Sequence, residues 1–574
     1  MGSLPAFAMT ILTQTIGMLV DGMVIANFLG VECTAAYGLT LPVFTLFTAI
    51  AGVFSAGIQT RCGSSMGKGD IDKSNAIFSA AAAASFAAAC VLMLILNVFM
   101  TQICSALGAS PGSGKLFPLV RDYFRGLTLG LPAIFVSTAL AAVMQLDGDK
   151  NRPILSTLIM TAFNVAGDLV NVFAFNSGMF GMALATSISY YISVLVLWLH
   201  FLKKDAFFRL SFGNLKNGEL YRTVVMGLPD AVTRGGKPLS SLFLNLILLE
   251  IAQSTSVAAY SVQSSIFNLF GSVGAAVGIS TMIIAGIFYG EEDSVAAGKL
   301  LKISLGFTIV LNVIISAVVF VFAPLFVSMF LKDPAVTKQA VRCVRFFALG
   351  KPISKINVVF MKYLQGMRHI KLANVLGVLD SLVYPIPLAA ILGRFGGTDG
   401  VWLAFILREL LVTFTVIALA AWHNRKFPRR IEDMLFLPEG FGVPPEDRYD
   451  VSVTTMEQVT KVSETAQSFC MTKGHYDKRA TAVALCVEEI AGNIVSHGFS
   501  DGKRHCIDLR ILKKNGDFII RIRDDCRAFN PKERMELLDP KDHESNIGLR
   551  IVFRLAEDVT YTNTMNMNNL IIRV

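Results

Sequence analysis

The stretch Thr34 to Phe47, TAAYGLTLPVFTLF, returns about 220 residues later as Val257 to Phe270, VAAYSVQSSIFNLF. A repeat at this distance constrains the fold strongly, because each copy must bury the same pattern in the same way. Other landmarks keep nearly the same offset. RGLTLGLP (Arg125 to Pro132) answers RFFALGKP (Arg345 to Pro352), Gln145 answers Gln365, and Val20-Asp21 answers Leu244-Asn245. Two copies of one unit therefore fill residues 1 to about 425.

With 53% hydrophobic and 16% charged residues and a mean hydropathy of +0.57, the chain is too apolar for an ordinary soluble enzyme. Ala80 to Met100, Ile154 to Phe175, Met182 to Leu202, Ile303 to Phe330 and Val401 to Trp422 are long enough to cross ~30 Å of hydrocarbon as helices. Broken stretches between them raise the expected total to about twelve, six per copy. MGSLPAF lacks a basic run and no small-residue cleavage site follows, so the first helix is expected to stay. Lys and Arg cluster on alternate loops: Arg61, Lys68 and Lys73; Lys150 and Arg152; Lys203, Lys204, Arg209 and Lys216; Lys299 and Lys302; Arg368 and Lys371; Arg425 to Arg430. The opposite loops carry only Lys115, Arg121, Lys332, Lys338 and Arg394, which predicts both termini on the cytoplasmic side of a plasma membrane. This bias accounts for the +9 net charge without a nucleic-acid partner. Nine scattered cysteines without a Cys-x-x-Cys pair fit reduced or lipid-buried thiols.

Ionisable groups inside spans are costly and need a reason. In the first copy these are Asp21 and Asp168, with Asn164 one turn before Asp168 on the same face and Thr186 on the next helix. Two carboxylates, an amide and a hydroxyl offer hard oxygen ligands for Na⁺, or a carboxylate pair able to share H⁺. The competing reading is plain interhelical hydrogen bonding. The second copy has neutral Asn245 where the first has Asp21, and adds Arg234, Lys237, Lys351, Lys355 and Lys362 with Asp230, Glu250, Asp380 and Glu409. Lys351, Lys355 and Lys362 share one helical face. If Arg234, Lys237, Lys351, Lys355 and Glu409 line a cavity, it favours an anionic, zwitterionic or acidic small-molecule substrate; otherwise these bases pair with the acids or snorkel.

VDGMVIANFLGVECTAAYGLTLPVF, the loop GKGDIDKSN, the Gly-Leu-Pro helix entry, the QLDGDKNRP loop and the twofold six-helix repeat together resemble the multidrug and toxic compound extrusion (MATE) transporters from about Leu4 to Trp422. The resemblance implies an outward-pumping antiporter whose two lobes rock about a central cavity. It also implies a first-lobe cation site at Asp21, Asn164, Asp168 and Thr186, with H⁺ or Na⁺ as coupling ion.

After Trp422 the chain turns to HNRKFPRR and a Pro- and acid-containing linker. The pattern beyond predicts strand RYDVSV, helices Met456 to Met471 and Lys478 to Val495, strands His505 to Leu512 and Asp517 to Arg523, a lid, helix Ile547 to Glu557 and strand Leu570 to Val574. Glu489, Asn493 and His497 share one helical face, followed by IRDDCRAFNP and NIGLRIV. These resemble the GHKL (Bergerat) nucleotide-binding fold, most closely the anti-sigma-factor serine kinases. The resemblance implies ATP with Mg²⁺: Glu489 as general base, Asn493 as Mg²⁺ ligand, Asp524 for the adenine amino group, and Gly548 beside the phosphates. Cys526 and Ala528 replace two motif glycines, and Ser545 and Asn546 stand in the lid; at φ > 0 such residues would strain and stiffen it. For His497, a capped or core histidine is the simpler reading.

The expected architecture is thus an all-α polytopic membrane domain with about twelve transmembrane helices in two lobes, plus a C-terminal α/β sandwich. Its parts are 1–203, first lobe; 204–218, inter-lobe loop; 219–424, second lobe; 425–446, linker; and 447–574, nucleotide-binding domain. The function expected is a secondary efflux antiporter for a small organic compound or drug, regulated by its ATP-binding tail. The alternative is a membrane-anchored signalling protein whose tail is an ATPase or serine kinase that binds a STAS-type or sigma-factor-like partner. ATP-powered pumping is disfavoured, since the tail has no Walker sequence and one copy serves two lobes.

Overall fold

The computed structural model describes residues 4–112, 115–149, 151–202, 207–211, 218–329, 334–438, 440–473, 477–501, 504–536, 546–564 and 567–574. Lys150, Lys203, Lys204, Lys216, Lys332 and Ser545 lie outside them. The first lobe holds α1 (Leu4–Val24), α2 (Val31–Gly67), α3 (Ile71–Val98), α4 (Met100–Ala106), α5 (Leu116–Thr128), α6 (Leu131–Leu146), α7 (Asn151–Val170) and α8 (Gly178–Trp198). The second holds α9 (Glu219–Glu291), α10 (Ser294–Val321), α11 (Ala323–Ser328), α12 (Pro334–Gly366), α13 (Ile370–Val378) and α14 (Pro385–Asn424).

Seven described helices are long and apolar enough to span a membrane, or eight counting the pair α5/α6, bent by 47°. The expectation of about twelve separate spans is therefore not met by this count. Some helical runs merge, as α14 does across Gly397 at φ 59. Others, α12 and the first half of α9, carry the charged second-lobe residues that depress their hydropathy. Run α9 also doubles back. Thr223 near its start lies against Gly57 of α2 and Gly290 near its end against Ser64 of α2, whereas a straight helix would part them by about 100 Å.

Among the described residues, the lobes pack most tightly toward the end that bears the tail. A core around Ile58, Cys62, Met66 and Leu146 of the first lobe shares side-chain contacts with Val277 and Ile283 of the second. The seam there is closed by glycines: a Cβ at Gly57, Gly67, Gly227 or Gly290 would run into backbone of the other lobe. Toward the other end, the core with Tyr37 and Phe124 is built from the first lobe with Val224 of α9 packed against it, and those with Phe267 and Trp402 belong to the second. The molecule is closed on the side bearing the tail.

On the tail side, His200 is buried between Asp147 and Asp149, with Nε2 2.6 Å and Nδ1 3.0 Å from their carboxylates. Burial opposes the charged ring, but the two carboxylates outweigh it and raise the His200 pKa. A raised folded-state pKa gives stability that is full below the unfolded value and lost as pH rises through the folded one. His200→Gln is therefore expected to lower the melting temperature of the detergent-solubilised protein by several degrees at pH 6, and by clearly less at pH 9.

The tail comprises β1 (Arg448–Val453), α15 (Met456–Thr472), α16 (Asp477–Asn493), β2 (Ile507–Lys514), β3 (Asp517–Asp524), α17 (Pro531–Glu536), α18 (Ile547–Leu555), β4 (Asp558–Thr564) and β5 (Met567–Arg573). The antiparallel sheet runs β1-β2-β3-β5-β4. Sequence patterning misses β4, DVTYTNT, because its Thr and Asn residues break the apolar alternation that marks the other strands. Asn515 and Gly516, at φ 55 and 93, turn β2 into β3. Ile507, Leu509 and Ile511 of β2 and Phe518, Ile520 and Ile522 of β3 point into a core with Val483, Val487 and Val552 of the helices. The alternate residues Arg510, Arg521 and Arg523 face the membrane unit.

Candidate functional site

Two helices bring three of the first-lobe polar residues together. Asp21 of α1 and Asn164 and Asp168 of α7 are all buried, Asp168 completely. Asn164 Nδ2 donates to Asp21 Oδ1 at 2.5 Å, and the Asp168 carboxyl adjoins that of Asp21. Both Asp168 oxygens and Asn164 Oδ1 face no donor among the described residues. Three buried acceptors beside a second carboxylate offer oxygen ligands that a proton, a small cation or a water molecule can satisfy. Among the described residues no hydrogen bond joins Thr186 to this set: its hydroxyl donates to Met182 O on its own helix at 3.3 Å. Instead, Tyr37, Tyr123 and Tyr190 stand within electrostatic reach of the carboxylates, with Tyr37 and Tyr123 edge-to-face at 5.7 Å. Tyrosines in an apolar run carry no pattern that would single them out in sequence.

The second lobe gathers Lys237 of α9, Lys351 and Lys355 of α12, Asp380 just before α14, and Arg408 and Glu409 of α14 within mutual electrostatic range. Arg408, not singled out from the sequence, takes both acids: it pairs with Glu409 and lies 3.5 Å from Asp380. Asn357 Nδ2 secures Glu409 at 3.1 Å. Lys362 lies nearer the tail side, paired with Asp230. No ion pair is formed among the described residues by Arg234, Lys237, Lys351 or Lys355. Lys355 Nζ donates only to Gly271 O at 3.1 Å, and Lys351 Nζ sits 5.1 Å from the Phe267 ring centre. Arg234 and Lys237 are exposed. Arg408 thus takes both acids of the cluster, leaving Lys237, Lys351 and Lys355 without an acidic partner among the described residues. Asp21, Asp168 and Asp380 each lie in or beside a π-helical turn, Ile25–Leu29, Asn171–Phe175 and Leu379–Val383, a local widening that re-aims side chains.

In the tail, Asp524 is buried at the end of β3, and its Oδ1 accepts from Asn568 Nδ2 at 2.7 Å and Cys526 N at 3.0 Å. Glu489 of α16 puts its carboxylate against the first turn of α18, where a Cβ at Gly548 would collide with it. Asn493 is exposed one turn beyond Glu489, and His497 follows in the π-turn Ile494–Gly498, also exposed rather than in the core. Cys526 and Ala528 are absent from the left-handed region, so the expected strain does not arise there. Asn546 takes it at φ 55, a conformation asparagine tolerates. Asn568, which orients Asp524, was invisible to motif reading because it comes from β5.

Residues 5–170 and 231–391 match the MatE family, and residues 453–574 match the histidine kinase-like ATPase domain. The chain belongs to the MatE family. This MatE protein is a multi-pass membrane protein with a C-terminal histidine kinase-like ATPase domain. It is 23% identical over 424 residues to the multidrug export protein MepA of Staphylococcus aureus strain MRSA252, covering 72% of this chain and 91% of that one. Among solved structures it is similar to a variant of the Vibrio cholerae MATE transporter VcmN, with TM-score 0.69, 16% identity and coverage of 74% and 95%. A MOP-superfamily transporter from Pyrococcus furiosus, described as having a binding pocket of reverse polarity, matches with TM-score 0.66, 19% identity and coverage of 72% and 93%. All of these matches stop short of the full MatE chain, leaving room for the tail.

Proposed function

We propose that this MatE protein is a secondary efflux antiporter that exchanges H⁺ or Na⁺ at Asp21, Asn164 and Asp168 for a small organic substrate, regulated by an ATP-binding tail. The observation that carries the reading is the set of three donor-less buried oxygens beside Asp21. A signalling protein with a STAS-type or sigma-factor-like partner has no use for such a set. Orientation follows from the basic loops, with both termini and the tail in the cytoplasm. Lys237, Lys351 and Lys355, which form no ion pair among the described residues, support an anionic or acidic substrate, with Arg234 and Glu409 as further candidates to contact it, a polarity for which the Pyrococcus furiosus transporter is a fold-level parallel.

The tail's residues fit an adenine nucleotide. Asp524, aimed by Asn568 and the Cys526 amide, would accept the adenine amino group; Gly548, with the Glu489 carboxylate beside it, would bring the backbone N–H groups at the start of α18 near the phosphates. Asn493 would hold Mg²⁺, and Glu489 would act as the base or water-orienting group if the tail hydrolyses ATP or phosphorylates a protein. Mg-ATP, when bound, supplies the charge and the phosphoryl group.

The test is substrate flux in proteoliposomes under an imposed H⁺ or Na⁺ gradient, with and without internal Mg-ATP. Gradient-driven flux that ATP only scales is expected, and collapsing the gradient should abolish it with ATP present. Flux that ignores the gradient would sink the antiporter. Asp524→Asn is expected to weaken binding of a fluorescent ATP analogue about tenfold to a hundredfold; unchanged binding would remove Asp524 from the site.

A further inference from the structure

The two halves of the repeat end their second long helix in matching loops. Gly67-Lys68-Gly69-Asp70 joins α2 to α3, and Gly290-Glu291-Glu292-Asp293 joins α9 to α10. The geometry is shared: Gly69 and Glu292 both take positive φ, 76 and 55, and Asp70 and Asp293 both cap the next helix, accepting from Lys73 N and Ala296 N. The charge is not shared, since the second loop carries three consecutive acids.

Those acids meet the tail's sheet. Arg523 pairs with the buried carboxylate of Glu291, and Asn569 Nδ2 lies 3.5 Å from it. Arg521 donates to Glu291 O at 2.9 Å, Lys514 reaches Glu292 at 2.6 Å and Arg510 reaches Asp293 at 2.5 Å. The same sheet face touches the first lobe, where Gly69 lies against Thr560 of β4 and Ile571 of β5. One rigid sheet thus holds the matching loops of both lobes, directly below the seam where Gly67 meets Ile287 and Gly290 meets Ser64. The second-lobe grip is polar and borders a cavity of about 530 Å³ lined by Ile284, Lys299 and Arg521, as befits a contact made to part.

The strands that grip also form the proposed nucleotide site. Arg523 pairs in register with Asn569, and Asp524 with Asn568. Because side chains alternate across a sheet, Arg523 and Asn569 hold Glu291 on one face while Asp524 and Asn568 stand together on the other. We propose that the tail is a clasp: docked across both loops it keeps the transporter closed on the tail side, and nucleotide at Asp524 sets its grip through this strand pair. The linkage rests on the ATP-binding reading above; the clasp does not.

Movement of the lobes requires the tail to release the first-lobe loop, because the linker already ties it to the second. Gly69→Cys with Thr560→Cys puts the two Cβ atoms about 3.3 Å apart, near disulfide distance. In proteoliposomes of the full chain, oxidation of this pair is expected to cut flux at least tenfold, with recovery on reduction and no such loss in either single variant. Wild-type flux through the cross-linked protein would overturn the clasp. Should the strained cysteine at residue 69 hinder folding, Thr560→Trp, which pushes the loop away, is expected to raise flux and remove its response to Mg-ATP. Unchanged flux and response there would also overturn it. For the linkage, Mg-ATP is expected to change the cross-linking rate several-fold, and not when Asp524→Asn is added. Bound ATP analogue with no change in rate would overturn the linkage alone. Failure of the analogue to bind would overturn the ATP reading, and the linkage with it, while the cross-linked flux still decides the clasp.

Discussion

Asp168→Asn is expected to lower gradient-driven flux on the order of a hundredfold, the loss that follows when about 3 kcal/mol of coupling between ion and substrate is removed. The carboxamide replaces one of two adjoining carboxylates and brings its own donor, so the site closes without an ion. The folded protein loses nothing by this, because an amide is cheaper to bury than a donor-less carboxylate. Downhill substrate movement should persist at a low rate while the response to the imposed H⁺ or Na⁺ gradient disappears. Thr186→Ala serves as the comparison. Its hydroxyl is spent on Met182 O, so it should stay within about twofold of wild type, the scale of a substitution that removes no named interaction. Full gradient coupling in Asp168→Asn, measured in the same vesicles, would place the coupling site elsewhere.

The second large effect concerns substrate charge. Lys355→Ala removes a cation whose hydrogen-bond partner among the described residues is the carbonyl of Gly271, and should lower flux of anionic compounds about tenfold or more, equivalent to roughly 1.4 kcal/mol of lost attraction. Flux of lipophilic cations should hold or rise. Lys362→Ala gives the contrast: it strands the buried carboxylate of Asp230, which costs about 3–5 kcal/mol of stability and discriminates no substrate charge. Equal losses for anions and cations in Lys355→Ala would end the case for an anionic substrate.

The two sites differ in how far they could be read from the sequence. Asn164 and Asp168 are one helical turn apart, so local periodicity alone puts them on one face. Asp21 joins them from a helix more than a hundred residues away, and it stood out because a carboxylate inside an apolar run needs a reason. The same reasoning marked the second-lobe lysines but passed over Arg408, which sits next to Glu409 and turns out to take Glu409 and Asp380 for itself. Pairing is a three-dimensional property: from spacing alone, the five bases and four acids could have been matched in many ways. Strand β4 escaped for a different reason. Its apolar alternation is weak, and it is held by its register with β5 rather than by its own pattern.

What the sequence determined by itself was the duplication, the membrane character, the change of composition after Trp422 and the local motifs of the tail. All of these are carried by composition or by spacing within a turn or two of chain, where physical neighbours are also sequence neighbours. Only the tertiary structure decided which charges remain unpaired, that the lobes are closed on the tail side, and that the acidic loop at Glu291 meets the arginines of β2 and β3. Those facts depend on contacts between residues hundreds of positions apart, and a chain's local pattern places no limit on which distant partner it meets.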